Sequence, residues 1–123
     1  MNVSLWIVQG LLAAAFALAG VGKATQPKDK LVGRLPWVED FSRNTVRFIG
    51  VVELLAAFGL VLPRATGIAS VLTPLAATGL AVTMVLAAAT HVRRREPSGV
   101  AVNAVLFALA VFVAWGRFGP YGP

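Results

Sequence analysis

The sequence predicts an all-α protein, an integral membrane four-helix bundle with a partly helical interfacial segment between its first and second helices. Three observations carry this prediction: four apolar stretches of about bilayer length, a composition poor in charge, and charges gathered between those stretches. Of the 123 residues, 58% are hydrophobic and only 13% are charged, about half the charged share usual for soluble domains. The length suits one transmembrane domain, residues 1–123, with spans at about 3–22, 45–62, 65–90 and 97–115 and an interfacial loop at 23–44.

Each span follows from its local sequence. Val3 to Gly22 has only Ser4 and Gln9 as polar side chains and measures about 30 Å as a helix, one bilayer core. No Lys or Arg precedes it, so it lacks the basic start of a secretory signal and reads as a retained span. Thr45 to Leu62 is the second span, ended by Pro63. Ala65 to Thr90 exceeds the usual length and predicts a kink at Pro74, whose ring clashes with the Ser70 carbonyl while the Ser70 and Thr73 hydroxyls help satisfy the backbone. Pro97 suits the first turn of the fourth span, and Trp115 suits its far interface.

Charge sets orientation. Lys23, Lys28, Lys30, Arg34, Arg43 and Arg47 lie in or beside the first loop and Arg93, Arg94 and Arg95 in the third, against Arg64 and Arg117 on the other side. By the positive-inside rule the first and third loops are cytoplasmic and both termini are outside, which brings Trp6 and Trp115 together at the outer interface. The net charge of +6 does not indicate nucleic-acid binding, because the basic residues occupy connecting segments rather than one exposed helix.

The first loop carries pattern of its own. Pro27 can open a short helix to about Leu35, and Leu31, Leu35, Trp37, Val38 and Phe41 are apolar among Lys28, Lys30, Arg34, Glu39 and Asp40. That mixture predicts an interfacial segment, its apolar side in the headgroup boundary and its basic side toward anionic lipid. Gly10, Ala13, Ala14, Ala17 and Gly20 on the first span, Gly50 and Ala57 on the second, and Gly67, Ala76, Ala77 and Gly79 on the third let helix backbones approach closely. Such faces serve a compact bundle or a homo-oligomer.

Ionisable groups at membrane depth are functional candidates by default. Glu53 is expected roughly 10 to 12 Å into the second span and Asn103 roughly 9 Å into the fourth. His91, Lys23 and Arg47 mark the same ends of the third, first and second spans, while Gln9 stands apart near the other end of the first. Arg47 is not the expected partner of Glu53, since six residues place the two about 120° apart around the helix. The partner should come from another helix, with Asn103, His91 and Lys23 as candidates, and Glu53 is expected to face Asn103 and the end of the third span. Lys23 and Arg47 also suit end anchors that snorkel outward. Glu53, His91 and Asn103 are thus the candidate catalytic residues, and Arg47, Lys23 and Gln9 the candidate substrate-binding residues. With no Cys and one His, neither thiol chemistry nor a protein-built transition-metal site is expected, and no phosphate loop or nucleophile elbow occurs.

An AG-x-x-K element ends the first span (Ala19, Gly20, Lys23) and R-x-x-G-x-x-E opens the second (Arg47, Gly50, Glu53). Thr90 and His91 stand at the end of span three, Asn103, Gly116 and Arg117 in span four, and a PWVEDF segment in the first loop. This arrangement resembles the DoxX-like family of small bacterial membrane proteins. The resemblance implies a four-helix membrane fold in the bacterial cytoplasmic (inner) membrane and a redox setting, since related proteins are described as subunits of quinone-linked oxidoreductases or membrane partners of soluble oxidative-stress enzymes. Three functions are compatible with the residues. The leading one is a site in the cytoplasmic leaflet for a lipophilic, quinone-like small molecule within a redox assembly, in contact with an oxidoreductase partner and the lipid bilayer. The second is a stand-alone enzyme performing acid–base isomerisation, cyclisation or epoxide opening on a hydrophobic metabolite. The third is a non-catalytic membrane adaptor in which Glu53 only locks helix packing.

Overall fold

A computed structural model describes residues 1–122, with the side chain of Arg34 outside the described set. Helix α1 spans Asn2–Thr25, α2 Lys28–Arg34, a 3-10 helix Pro36–Asp40, α3 Arg43–Thr66, α4 Leu72–Arg93 and α5 Pro97–Phe118. The long helices α1, α3, α4 and α5 are each long and apolar enough to cross a bilayer. Helix α1 packs along α3 and α4 along α5, while contacts of α3 with α4 and of α1 with α5 close the ring. The chain reverses at each connection, so one end of the bundle, the basic end, carries the first and third loops. The opposite, terminal end carries both termini and the α3–α4 connection.

The interior is made from small and aliphatic side chains: Leu12 and Phe16 of α1, Ala57 and Leu60 of α3, Ala77, Leu80, Ala81 and Met84 of α4, and Ala110 and Val113 of α5. Outside, Val3, Leu18, Phe48, Leu55, Leu86 and Val105 are each at least 60% exposed. A water-soluble domain does not leave so continuous an apolar surface open. Lipid tails cover it at no desolvation cost, and the molecule is a multi-pass integral membrane protein in contact with the bilayer.

The helix ends differ from expectation in two places. Helix α3 runs through Pro63 for a further turn and stops at Gly67, whose left-handed φ of 74° lets its N–H reach the Pro63 carbonyl at 3.0 Å. Helix α4 starts at Leu72 rather than at Ala65, so Pro74 sits in its first turn and does not kink it. The missing N–H of Pro74 is one that the first turn would leave unused in any case.

The first loop is more enclosed than an interfacial strip. Leu31 of α2, Val38 of the 3-10 helix and Val46 of α3 form a small buried cluster, flanked by Val32, Leu35, Trp37 and Phe41. Its apolar side therefore packs largely on the protein itself, against the start of α3. Arg94 of the third loop reaches across to Asp40 with Nη1 to Oδ1 at 2.9 Å, tying the two loops of the basic end together.

Candidate functional site

Helices α1 and α3 cross closely at two glycines. A Cβ at Gly20 would stand 2.6 Å from the Gly50 carbonyl oxygen and 2.8 Å from the Leu54 nitrogen. One at Gly50 would stand 2.6 Å from the Ala24 nitrogen and 2.7 Å from both the Gly20 oxygen and the Lys23 Cβ. Only a side chain that ends at hydrogen fits on either helix, so the backbones meet directly.

That crossing brings Lys23 to Glu53. Lys23 Nζ donates to Glu53 Oε1 at 2.6 Å, with the carboxylate side chain 2% exposed and the lysine 12%. The direction of the side chains explains the pairing. Every helical Cα–Cβ bond tilts toward the helix N-terminus. Lys23 lies near the C-terminal end of α1, so its stem is aimed back into the bundle rather than outward to solvent. Glu53 lies in the first half of antiparallel α3, so its stem leans toward the basic end and meets it. Arg47, near the start of α3, is aimed away from Glu53 by the same rule and is exposed. Trp37 covers the pair, with Lys23 Nζ 5.3 Å from its ring centroid, and Phe41 packs edge-on against Trp37 at 5.7 Å.

The expected partner Asn103 is not hydrogen-bonded to Glu53. Asn103 Nδ2 donates to Met84 Sδ at 3.5 Å, and its Oδ1 is buried with no partner among the described residues. The two polar groups nevertheless share a level of the bundle. A Cβ at Gly59 would touch the Ala76 Cβ at 3.0 Å. Six residues before Gly59 is Glu53, and six after Ala76 is Val82, half a turn from Met84. Both Glu53 and Asn103 point inward, at 2% and 7% exposure. Glu53 lies ten residues, about 15 Å, from the start of α3.

His91 belongs to a separate group at the basic end. Its Nδ1 is 2.8 Å from Glu96 Oε1, and Arg94 Nε donates to Glu96 Oε2 at 3.3 Å. Gly99 supplies the room for the imidazole, since a Cβ there would collide with the ring. Beside it is a cavity of about 330 Å³ lined by His91, Val92, Arg95, Glu96, Pro97 and Val100, one turn above Asn103 along α5. The hydrogen bond with His91, and then Arg94, holds the Glu96 carboxyl below the usual carboxylate range, and Asp40 holds Arg94 above its usual range. Because the folded Glu96 is the stronger acid, its pairing stabilises the fold above the ordinary carboxyl range and is lost as pH falls through the lower folded value. Thermal unfolding from about pH 7 to about pH 3 should show that loss, and Glu96→Gln should shrink its acid limb.

Gln9 takes no part at this end. It is fully buried near the terminal end, where Nε2 donates to the Leu60 carbonyl at 2.6 Å and Oε1 accepts from Arg117 Nε at 2.8 Å. By sequence Arg117 is a charge at the end of a span, whereas the structure buries it completely. The signal was present: it sits in the last turn of α5, where the same tilt aims a side chain inward, and Gln9 at that level needs a partner. Among the described residues no group of three metal-ligating side chains occurs.

The model of the DoxX-like family matches residues 7–113. The chain belongs to the DoxX-like family. That match contains the glycine crossing, the Lys23–Glu53 pair, His91 and Asn103, and stops short of Arg117. No curated protein and no solved structure matches the chain.

Proposed function

We propose that this DoxX-like protein is a membrane subunit that holds the polar head of a lipophilic, quinone-like molecule between Glu53 and Asn103, as part of a redox assembly. The observation that carries the reading is the carboxylate of Glu53, 2% exposed inside an apolar span and held by a single lysine at 2.6 Å. A charge pair there costs desolvation free energy that a hydrophobic pair would not, and such groups are retained at sites of binding or proton handling. The residues fit a quinone head: Asn103 Oδ1 is a buried acceptor suited to a hydroxyl, and the Lys23 ammonium can donate to a carbonyl or phenolate oxygen. A bound quinone supplies two-electron, two-proton carriage. The chain supplies Glu53 to take up or release a proton at its carboxylate, Lys23 to orient that carboxylate, and His91 beside the cavity as a proton exit toward the basic loops. Arg47, exposed, and Gln9, at the other end, have no part in this site. With the basic end in the cytoplasm and both termini outside, the site lies in the inner leaflet of a bacterial cytoplasmic membrane, and the basic loops face a soluble or membrane oxidoreductase.

The glycine crossing favours a second reading, in which the pair locks α1 to α3 in a non-catalytic adaptor. Binding of a short-chain ubiquinone, followed by tryptophan quenching, separates the two. Glu53→Gln is expected to weaken binding at least about tenfold, the loss of one charge-assisted contact. Unchanged binding together with a lower unfolding temperature would establish the lock instead.

A further inference from the structure

The terminal end holds a second polar cluster that the quinone site does not use. Arg117 is 0% exposed. Its Nε donates to Gln9 Oε1, its Nη1 donates to Asn2 Oδ1 at 2.7 Å and to the Tyr121 carbonyl at 3.0 Å, and its guanidinium carbon lies 5.5 Å from the Trp6 ring centroid. Every one of these neighbours is neutral. The five acidic residues, Asp29, Glu39, Asp40, Glu53 and Glu96, all lie in the basic half of the chain's fold. A buried cation with no carboxylate side chain bonded to it among the described residues is costly.

Two buried polar atoms at this end lack partners among the described residues, Arg117 Nη2 and Thr73 Oγ1. The register of α4 against α5 puts them at one level. The His91 ring lies against Gly99, and eighteen residues before His91 is Thr73 while eighteen after Gly99 is Arg117. Thr73 is also in the first turn of α4, the positive end of that helix dipole. The Arg117 Nη2–H group and the Thr73 hydroxyl, both buried and without partners among the described residues, thus lie at one level of the bundle.

We propose that the terminal end is an oxyanion site, taking a phosphate or carboxylate head on Arg117 Nη2 and Thr73 Oγ1. The tail from Gly119 to Gly122 folds over the guanidinium, holding it through the Tyr121 carbonyl. Exchange of that carbonyl for the anion frees Nη1 beside Nη2, the planar fork that matches two oxygens of one phosphate. The anion comes from an anionic phospholipid of the adjacent leaflet or from free phosphate, and the two sources are distinguishable.

The test uses the full chain in dodecyl maltoside, with the unfolding midpoint and retention in native mass spectrometry as readouts. Phosphatidylglycerol, diacylglycerol and inorganic phosphate are added separately to the wild type, Arg117→Gln and Thr73→Val. Phosphatidylglycerol should raise the wild-type midpoint and stay bound, and diacylglycerol should do neither. Inorganic phosphate reproducing the shift would support the site and assign it to a free anion. Thr73→Val removes a hydroxyl that bonds to nothing described, so it should fold normally yet weaken retention ~tenfold, as one lost hydrogen bond to a charged group does. That variant carries the test if Arg117→Gln fails to fold. Equal responses of wild type and Thr73→Val, or no response of the wild type to any anion, would overturn the proposal and leave Arg117 as a hydrogen-bonding hub.

Discussion

Lys23→Met should destabilise the protein by about 3–5 kcal/mol, the usual consequence of stranding one charge of a buried pair. Glu53 would lose its one side-chain hydrogen-bond donor among the described residues, a lysine only 12% exposed. Solvent cannot replace the lysine, because Glu53 is 2% exposed and Trp37 stands over the ammonium. The double variant Lys23→Met with Glu53→Met should recover most of that loss, since a buried ion pair replaced by apolar groups of similar volume is often neutral or stabilising. Equilibrium unfolding of the two single variants and the double in detergent gives the coupling directly. A coupling near zero would mean that the two charges are held independently, and the account of the α1–α3 seam would be wrong.

Gly50→Val should cost about 3 kcal/mol, the upper part of the usual range for overpacking. The collision is with backbone on two sides, the Ala24 nitrogen at 2.6 Å and the Gly20 oxygen at 2.7 Å, so no rotamer change relieves it. The helices must separate, and separation carries Lys23 Nζ out of reach of Glu53. The variant should therefore lose both stability and quinone binding. Gly10→Val, at a glycine of the same helix system with nothing within 4 Å, should change the unfolding temperature little. Equal losses at Gly50 and Gly10 would show that glycine content, rather than this crossing, is what matters.

That four helices cross the membrane was legible because such helices announce themselves by length and hydropathy, and four helices of that length and hydropathy are present. The start of α4 was not legible. The connection after Gly67 includes Ile68, Ala69 and Val71, which are as apolar as a helix, so hydropathy cannot mark the break that a left-handed glycine makes. Within the site, Glu53 was legible as an acid in an apolar run, and its distance around the helix from Arg47 excluded that partner. The choice of Lys23 over Asn103 was not, because it depends on how closely two backbones cross and on the inward tilt of a side chain at a helix C-terminus. The same tilt explains Arg117. A basic residue in the last turn of a span is counted as an anchor by charge rules, yet its stem is aimed back along its own helix.

The most direct test of the central claim is a short-chain ubiquinone titration of the Lys23→Met/Glu53→Met double variant against the wild type, both folded in the same detergent. Saturable binding to the wild type and none to the double variant, at the same protein stability, is the expected result. Equal binding by a double variant that has lost both charges would contradict it, and would leave the Lys23–Glu53 pair as a helix lock.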